Sequence, residues 1–319
     1  MRWTFLLLLM IGLCACQSEE PKDEKQKKLR NVDTSKIDRK AGPIRTDDGA
    51  FLYYQAMGKG PAILIPNGTY MAGDFKLLED QYSLIFYDTR NRGRSQTLKS
   101  ASKLQGGIER DVQDMELIRK HFGIEKMHLI GHGYHGLLSL MYAKKYPQQV
   151  EKIIQVSAVA PDDGTYQVFR DAVNVEVEQA TTALATAESS MSDKDYCDAW
   201  WKEMRKLYTF VPGNEIRALA QICQYPNENP RHSLAHYDQY IKPTLEGISA
   251  KDFKEVKQPV LMIHGTKDRV HSLDGAKKWA QVLPKGQLAQ IEIAGHLPWM
   301  DAQANVFNTI RSFLTETAE

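Results

Sequence analysis

The 319-residue sequence carries almost no net charge, contains only four cysteines and, beyond its first segment, has no long hydrophobic run. Its 41 lysines and arginines nearly balance 40 aspartates and glutamates, for a formal net charge of +1. No basic stripe interleaved with aromatic residues is present, which argues against a nucleic-acid surface. No internal stretch approaches the roughly 20 apolar residues that span a bilayer. The length suffices for one large core, or for a core with a smaller insertion.

The N-terminal segment differs from the rest of the chain. Arg2 precedes a short, almost wholly apolar run that ends in Leu13-Cys14-Ala15-Cys16. A charged start, a short apolar run and small residues before a cleavage site are typical of a secretory signal. The last four residues also resemble a bacterial lipobox, whose final cysteine carries the lipid. We therefore predict a lipoprotein signal peptide over residues 1–16 with Cys16 acylated. A plain signal peptide with two incidental cysteines is the alternative.

Residues 17–41 are dense in lysine, glutamate and aspartate and have few apolar side chains. Such a segment cannot bury enough surface to offset the entropy lost on ordering, so we predict a disordered, charged tether. Its first residues, Gln17-Ser18-Glu19-Glu20, resemble acidic signals that direct some Gram-negative lipoproteins to the outer-membrane surface. We expect the chain in the bacterial cell envelope, lipid-anchored to the inner or outer membrane, either in the periplasm or on the outer surface.

Two cysteines, Cys197 and Cys223, remain after the predicted lipidation site. An exported compartment is oxidising, and a disulfide that closes a loop of this size would stabilise the fold by roughly 3 kcal/mol. Two separately buried thiols are the alternative, and the sequence leaves both open.

From Gly42 onward, strand and helix signals alternate, which favours a mostly parallel sheet in an α/β fold. This alternation covers residues 42–160 and 253–319. It includes a predicted helix over 74–80 and an amphipathic helix over 111–122. Residues 161–252 show a helical pattern broken by turn signals and no strong strand, so we predict a helical insertion there.

One strand-to-helix junction dominates the motif analysis. The apolar run Met127-His128-Leu129-Ile130 continues into Gly131-His132-Gly133-Tyr134-His135-Gly136 and then into a helical pattern. This strand, tight turn and helix resemble the nucleophile elbow G-x-S-x-G of the α/β-hydrolase family. The resemblance implies a mostly parallel central sheet flanked by helices, with the helical insertion as its cap. The central position is Gly133, so the serine nucleophile is missing.

Two further motifs are similar to those of the same family and imply the rest of a catalytic triad. His264-Gly265-Thr266-Lys267-Asp268 follows a strand and implies Asp268 as the orienting carboxylate. Ala294-Gly295-His296-Leu297-Pro298-Trp299 follows the last strand and implies His296 as the base. The chain order of nucleophile, acid and base is that of the family. The Gly-His-x-Pro-Trp loop is most similar to proline iminopeptidases and related esterases.

The remaining two motifs concern the turns around the site. Pro66-Asn67-Gly68-Thr69 occupies the place of the family's His-Gly-x loop, which implies the backbone N–H groups of Thr69 and Tyr134 as an oxyanion hole. Asp88 to Ser95 is similar to the family's D-x-R-G-x-G-x-S turn, with Asn91 where glycine is usual. That turn is a packing motif, so we assign it no chemistry.

The residues beside Gly133 also depart from the family. His135 stands where a small residue is usual, and His132, His135 and His296 are expected close together. With Asp268 they would suit zinc, but helical spacing does not place His132 and His135 on one face, so we assign no metal and no cofactor. The alternative for His135 is a packed polar residue. We expect structural roles for four others: His121, His128, Ser157 and His264.

Without a serine, Gly133 cannot form an acyl-enzyme. Our leading hypothesis is a pseudohydrolase, lipid-anchored, that binds a small molecule under its cap. A second hypothesis is a hydrolase or lyase that acts on water or on a substrate proton through His296 and Asp268. A third is an interaction module that contacts another exported protein through its cap or Trp200-Trp201. A Ser→Gly change introduced to trap a complex of an esterase or aminopeptidase would give the same sequence at the elbow.

Overall fold

The computed structural model describes residues 40–161, 190–217 and 219–316, together with isolated positions 175, 178, 182 and 184. The predicted signal peptide, the lipidation site Cys16, nearly all of the tether and the first part of the predicted cap lie outside the described residues. Within the described part of the chain, every helix is too short or too polar to cross a membrane.

An eight-stranded sheet organises the core, in the order β1-β2-β4-β3-β5-β6-β7-β8. β1 pairs antiparallel with β2, and β2 with β4, whereas all other neighbouring strands are parallel. β1 begins within the last two residues of the predicted tether. The strands are β1 (Lys40–Arg45), β2 (Phe51–Met57), β3 (Ala62–Pro66), β4 (Ser83–Tyr87), β5 (Met127–His132), β6 (Val150–Val156), β7 (Val260–Gly265) and β8 (Gly286–Ile291).

The strands β3, β4, β5 and β7 are buried along their whole length, as expected for parallel strands covered on both faces. The α-helices of the described residues are α1 (Gly68–Phe75), α2 (Ala101–Leu104), α3 (Gly107–His121), α4 (Tyr134–Lys145), α5 (Asp193–Tyr208), α6 (Asn214–Arg217), α7 (Pro230–His236), α8 (Leu273–Val282), α9 (Pro298–Asp301) and α10 (Gln303–Thr315). Helices α3, α4 and α8 pack on one face of the sheet, and α1 and α10 pack on the other.

The first helix lies earlier than the sequence predicted. A helix was expected over 74–80, but α1 begins at Gly68, and only a 3₁₀ turn, Lys76–Leu78, follows it. Asn67 adopts a left-handed conformation with φ of 77°, which turns the chain from β3 directly into α1. Asparagine tolerates that conformation better than most residues, so the turn needs no longer loop.

The described part of the cap has its own small core. Trp200, Trp201 and Met204 of α5 are buried there with Ile222. A disulfide joins Cys197 of α5 to Cys223, which lies in a short 3₁₀ turn, Ile222–Gln224. The two cysteines are therefore paired, which decides between the two alternatives that the sequence left open.

An ion pair fastens the cap to the core. Glu228, which is buried, accepts hydrogen bonds from Arg92 Nε at 3.1 Å and from the Gly93 N–H at 2.8 Å. Next to it, Asn227 Nδ2 donates to the Ser95 carbonyl at 2.7 Å. The turn at 88–95, to which the sequence assigned only packing, therefore holds the cap.

Candidate functional site

Four loops with unusual backbone conformations meet at the carboxyl ends of the strands. Gly133 follows β5 with φ of 56° and ψ of −125° and begins the turn into α4. Three non-glycine residues just beyond β3, β6 and β8 also have positive φ: Asn67 at 77°, Ser157 at 44° and Ile293 at 56°. Such residues cost about 1–3 kcal/mol each and concentrate at functional sites. This edge of the sheet is therefore the candidate site.

Glycines on either side of the elbow allow helix α4 to approach the sheet closely. A Cβ atom on Gly131 would lie 2.1 Å from the His135 carbonyl oxygen, and one on Gly136 would lie 2.6 Å from Ala158 Cβ. Gly133 is different. A Cβ atom there would lie 3.8 Å from His271 Cε1 and 3.9 Å from His296 Nε2, which are ordinary contacts. The missing side chain at residue 133 therefore leaves a gap, and crowding does not explain its absence.

His296 and Asp268 form the dyad that the motifs implied. His296 Nδ1 donates to Asp268 Oδ2 at 3.0 Å. The other oxygen, Asp268 Oδ1, accepts from the N–H groups of Val270 at 2.7 Å and His271 at 2.9 Å. Burial alone would raise the pKa of Asp268, but the facing imidazoles, His296 above all, hold that pKa well below its usual value. Asp268 is thus an ionised carboxylate that orients His296.

His271 is a third member of this site, and the sequence analysis missed it. Its ring centre lies 4.8 Å from that of His296, at right angles to it. His271 Nδ1 donates to the Ser157 carbonyl at 2.7 Å. Burial and the neighbouring His296 lower the pKa of His271 to about 3, so its imidazole is neutral. Its position shortly after Asp268, on the same loop, was the available sequence signal.

His264, expected to be structural, supports this acid loop. Its Nε2 lies 3.1 Å from the His271 carbonyl oxygen and 3.3 Å from Asp268 Oδ2. The side chain is buried at the end of β7, and burial lowers its pKa. His264 therefore fixes the loop that carries both Asp268 and His271.

The expected grouping of three imidazoles holds for His132 but not for His135. His132 Nε2 donates to the His296 carbonyl at 3.1 Å, and the two rings are 4.4 Å apart. His135 instead lies with its Nε2 3.5 Å from Thr89 Oγ1. His132 is the last residue of β5, whereas His135 lies in the first turn of α4, so the two side chains leave different elements. Among the described residues, no group of three or more histidines, cysteines, aspartates or glutamates is placed to hold a metal ion.

The structure contradicts the oxyanion role predicted for Thr69. Its backbone N–H and its Oγ1 both donate to Asp88 Oδ1, each at 2.9 Å. Asp88 is itself held by Arg94, whose Nε donates to Oδ2 at 2.7 Å. Tyr134 supplies the first N–H of α4, one of the groups that bonding within a helix leaves free. One of the two expected oxyanion donors is therefore already committed to a carboxylate.

No described segment supplies a substitute nucleophile. Ser157 directly follows β6, the strand next to β5, but its hydroxyl is buried and has no hydrogen-bond partner among the described residues. Within the same described ranges, no serine, threonine or cysteine side chain forms a hydrogen bond with His296. The gap at Gly133 thus faces the base without an oxygen or a sulfur.

A cavity of about 600 Å³ lies between helix α1, the cap residues 217 and 219–225, and the start of α9. Its walls include the cations Lys76, Arg94 and Arg217 and the side chains of Leu219 and Leu297. Gly133, His271 and His296 do not line it. The described parts of cap and core therefore border this space, and Leu297, next to His296 in the chain, is one of its walls.

Comparison with known proteins agrees with this geometry. Residues 61–303 match the family model described as alpha/beta hydrolase fold. The chain belongs to the α/β-hydrolase family. The predicted fold is confirmed by solved structures, among them the esterase RhEst1 from Rhodococcus sp. ECU1013, with a TM-score of 0.67 and 18% identity over 87% of this chain and 99% of that one.

Several curated proteins with similar sequences have peptidase or hydrolase names. The proline iminopeptidase of Clostridium botulinum is 22% identical over 83% of this chain and 94% of its own length. The proline iminopeptidase of Elizabethkingia meningoseptica is 23% identical over 86% of this chain and 97% of its own. Proline iminopeptidases, to which the loop around His296 is similar, are thus among the matches.

Proposed function

We propose that this α/β-hydrolase-fold chain does not form an acyl-enzyme and that it binds a small molecule between its core and its cap. The observation that carries the proposal is the gap at residue 133. The elbow presents this position to His296, with room for a Cβ atom 3.9 Å from Nε2, but glycine places no oxygen there. The engaged N–H of Thr69 supports the proposal independently, because it removes an oxyanion donor.

The size of the expected loss in catalytic rate favours binding over hydrolysis of stable esters or peptides. Loss of the nucleophile from a serine hydrolase costs about 10⁶ in kcat, and the residual acceleration of about 10³–10⁴ over water comes from the oxyanion hole and substrate binding. Here one oxyanion donor is bound to Asp88, so even that residual is reduced.

The cavity supports a small ligand rather than a pure interaction module. Small-molecule sites are typically about 300–1,000 Å³, and the space between α1 and the cap segment is about 600 Å³. An interaction module would be expected to fill this space with side chains.

A second candidate is a hydrolase or lyase in which His296 acts on water or on a substrate proton. The intact contact of 3.0 Å between His296 Nδ1 and Asp268 Oδ2 favours it, because a base needs an orienting partner.

One assay separates these functions: turnover of p-nitrophenyl acetate by the purified full chain. We expect no burst and no turnover in the ordinary enzyme range of about 1–10³ s⁻¹. Turnover at such a rate would end the binding proposal, and its loss in His296→Ala with folding intact would support the second candidate.

The Gly133→Ser variant tests whether the residues around position 133 also differ from those of a working serine hydrolase. The added side chain fits, so we expect labelling by a fluorophosphonate probe, more slowly than in an esterase because the Thr69 N–H is engaged. Gly42→Ser, where a Cβ atom meets nothing within 4 Å, is the matched control and should stay unlabelled. Absence of labelling in Gly133→Ser would show that the surroundings, and not only the nucleophile, have changed.

We also propose that the chain is an exported lipoprotein of the bacterial cell envelope, anchored through Cys16. The support is the sequence from Arg2 to Cys16 and the charged segment that follows it. In this arrangement the membrane is a partner through the anchor, and the ligand is a small molecule outside the cytoplasm.

A further inference from the structure

The gap at Gly133 is bordered by two imidazoles rather than one. A Cβ atom on Gly133 would touch His271 Cε1 at 3.8 Å and His296 Nε2 at 3.9 Å. We propose that this gap binds a primary ammonium group of the ligand, held between His271 and His296. The inference rests on the proposed function, because it names the chemistry of the group that enters where a serine hydroxyl is missing.

Hydrogen bonding fixes both rings in the same tautomer. A carboxylate and a carbonyl oxygen only accept, so His296 Nδ1 carries a hydrogen toward Asp268 and His271 Nδ1 carries one toward Ser157. In a ring whose single hydrogen is on Nδ1, Nε2 is then an acceptor. Neither Nε2 atom has a hydrogen-bond partner in the described ranges of the chain. A group in the gap meets two acceptors and therefore has to donate.

The local charge is negative. Asp268 is ionised, because its imidazole neighbours lower its pKa. Burial lowers the pKa values of His132, His264 and His271, so these rings are neutral at pH 7. Arg92 of the core turn at 88–95 is paired with Glu228 of the cap. With His296 carrying only its Nδ1 hydrogen, the formal charge next to the gap is that of the Asp268 carboxylate, so a positive donor is attracted and an anion is repelled.

An ammonium group meets these conditions better than a hydroxyl group does. It has three donors and no acceptor, so it can serve both Nε2 atoms at once while carrying the complementary charge. A hydroxyl group donates once and is neutral. A carboxylate would place acceptor against acceptor, which leaves buried groups unpaired at a cost.

Histidine-selective ¹⁵N NMR of the full chain in phosphate buffer tests this proposal. n-Propylamine, protonated at neutral pH, is titrated beside n-propanol and propionate, and His271→Leu and His296→Ala assign the two signals. We expect saturable shifts of both Nε2 resonances with the amine, at least tenfold weaker binding of propanol, and no saturable effect of propionate.

Gly133→Ser provides the decisive variant. Its hydroxyl would occupy the gap and donate to His296, so we expect amine affinity to fall at least tenfold, while Gly42→Ser binds as the unmodified chain does. His271→Leu, which removes one acceptor, should weaken the amine by a similar factor and covers the case in which Gly133→Ser fails to fold. Equal affinity for propanol or propionate, no saturable shift with the amine, or unchanged affinity in the variants would each overturn the proposal. Because binding is read without turnover, its failure is distinct from failure of the esterase assay.

Discussion

At the scale of single residues, three differences from a working serine hydrolase lie close to the turn at Gly133. Gly133 has no nucleophile, the Thr69 N–H is bound to Asp88, and His271 borders the gap. A serine at residue 133 would carry backbone strain on the order of 1–3 kcal/mol, which glycine avoids. Glycine therefore holds the elbow in this conformation without that strain and places no nucleophilic oxygen there.

Asp111 makes the stability of the fold depend on pH near neutrality. Its carboxylate accepts from the Tyr134 hydroxyl at 2.8 Å, and burial, together with Asp114, raises its pKa to about 7. Between pH 4 and 7 the folded state then holds a proton that the unfolded state releases. The free energy of unfolding should therefore fall as pH rises through this range, by at most about 1.4 kcal/mol per pH unit from this group.

Asp111→Asn should remove this contribution, because the amide does not ionise and its oxygen still accepts from Tyr134. In urea unfolding at pH 5, 6, 7 and 8, the free energy of unfolding of the variant should rise relative to that of the unmodified chain as pH increases. Asp47→Asn, at an exposed position, is the control and should follow the unmodified chain. Parallel pH profiles for Asp111→Asn and the unmodified chain would contradict the raised pKa.

At the scale of secondary-structure elements, the cap is held in two ways. Glu228 receives hydrogen bonds from Arg92 and Gly93 of the core, and the disulfide ties Cys223 to helix α5. The first contact fixes the cap on the core, and the second fixes one wall of the cavity, since Ile222 and Gln224 line it.

Removing the disulfide should destabilise the cap. The two cysteines are separated by 26 positions, and closing a loop of that length is worth roughly 3 kcal/mol in the chain-entropy model. We expect Cys197→Ala/Cys223→Ala to lower the free energy of unfolding by about this amount in urea. Reductant should lower the unmodified chain to a similar level and leave the double variant unaffected. Equal stability of all samples would show that the crosslink contributes nothing.

Local patterns were enough to predict the strands, whereas contacts between distant loops were not. The alternation of strand and helix signals predicted the mostly parallel sheet, and the elbow, Asp268 and His296 follow from motifs at the ends of strands. The partner of the Thr69 N–H lies on the loop after another strand, and the Ser157 carbonyl meets His271 across the site. Such pairings depend on the assembled edge of the sheet, which a linear pattern does not encode. The predicted position of helix α1 was wrong for a local reason, because the left-handed conformation of Asn67 starts the helix earlier.

At the scale of the whole molecule, the proposed anchor sets where the site operates. Residues 17–39 lie between Cys16 and strand β1, and such a segment, fully extended, reaches at most about 80 Å. Under the proposed anchoring, a core attached through this segment would stay within that distance of the membrane surface.

Cys16→Ser should release the chain from the membrane. We expect the unmodified chain to incorporate radiolabelled palmitate in a bacterial host and to enter the detergent phase in Triton X-114 partition. Cys16→Ser should lose both properties, because a single acylated cysteine supplies the anchor. Cys14→Ser is the matched control and should retain them. Palmitate labelling that survives Cys16→Ser would refute the lipobox assignment.

The disulfide between Cys197 and Cys223 also bears on when the wall of the cavity becomes crosslinked. Under the proposed export, a precursor still in the reducing cytoplasm would hold Cys197 and Cys223 as thiols, and the cavity wall at residues 222 and 224 would lack its crosslink. For an exported chain, capture of the ligand would begin only after translocation. Newly made copies would then not deplete the cell's internal pool of the same compound or carry it out during secretion.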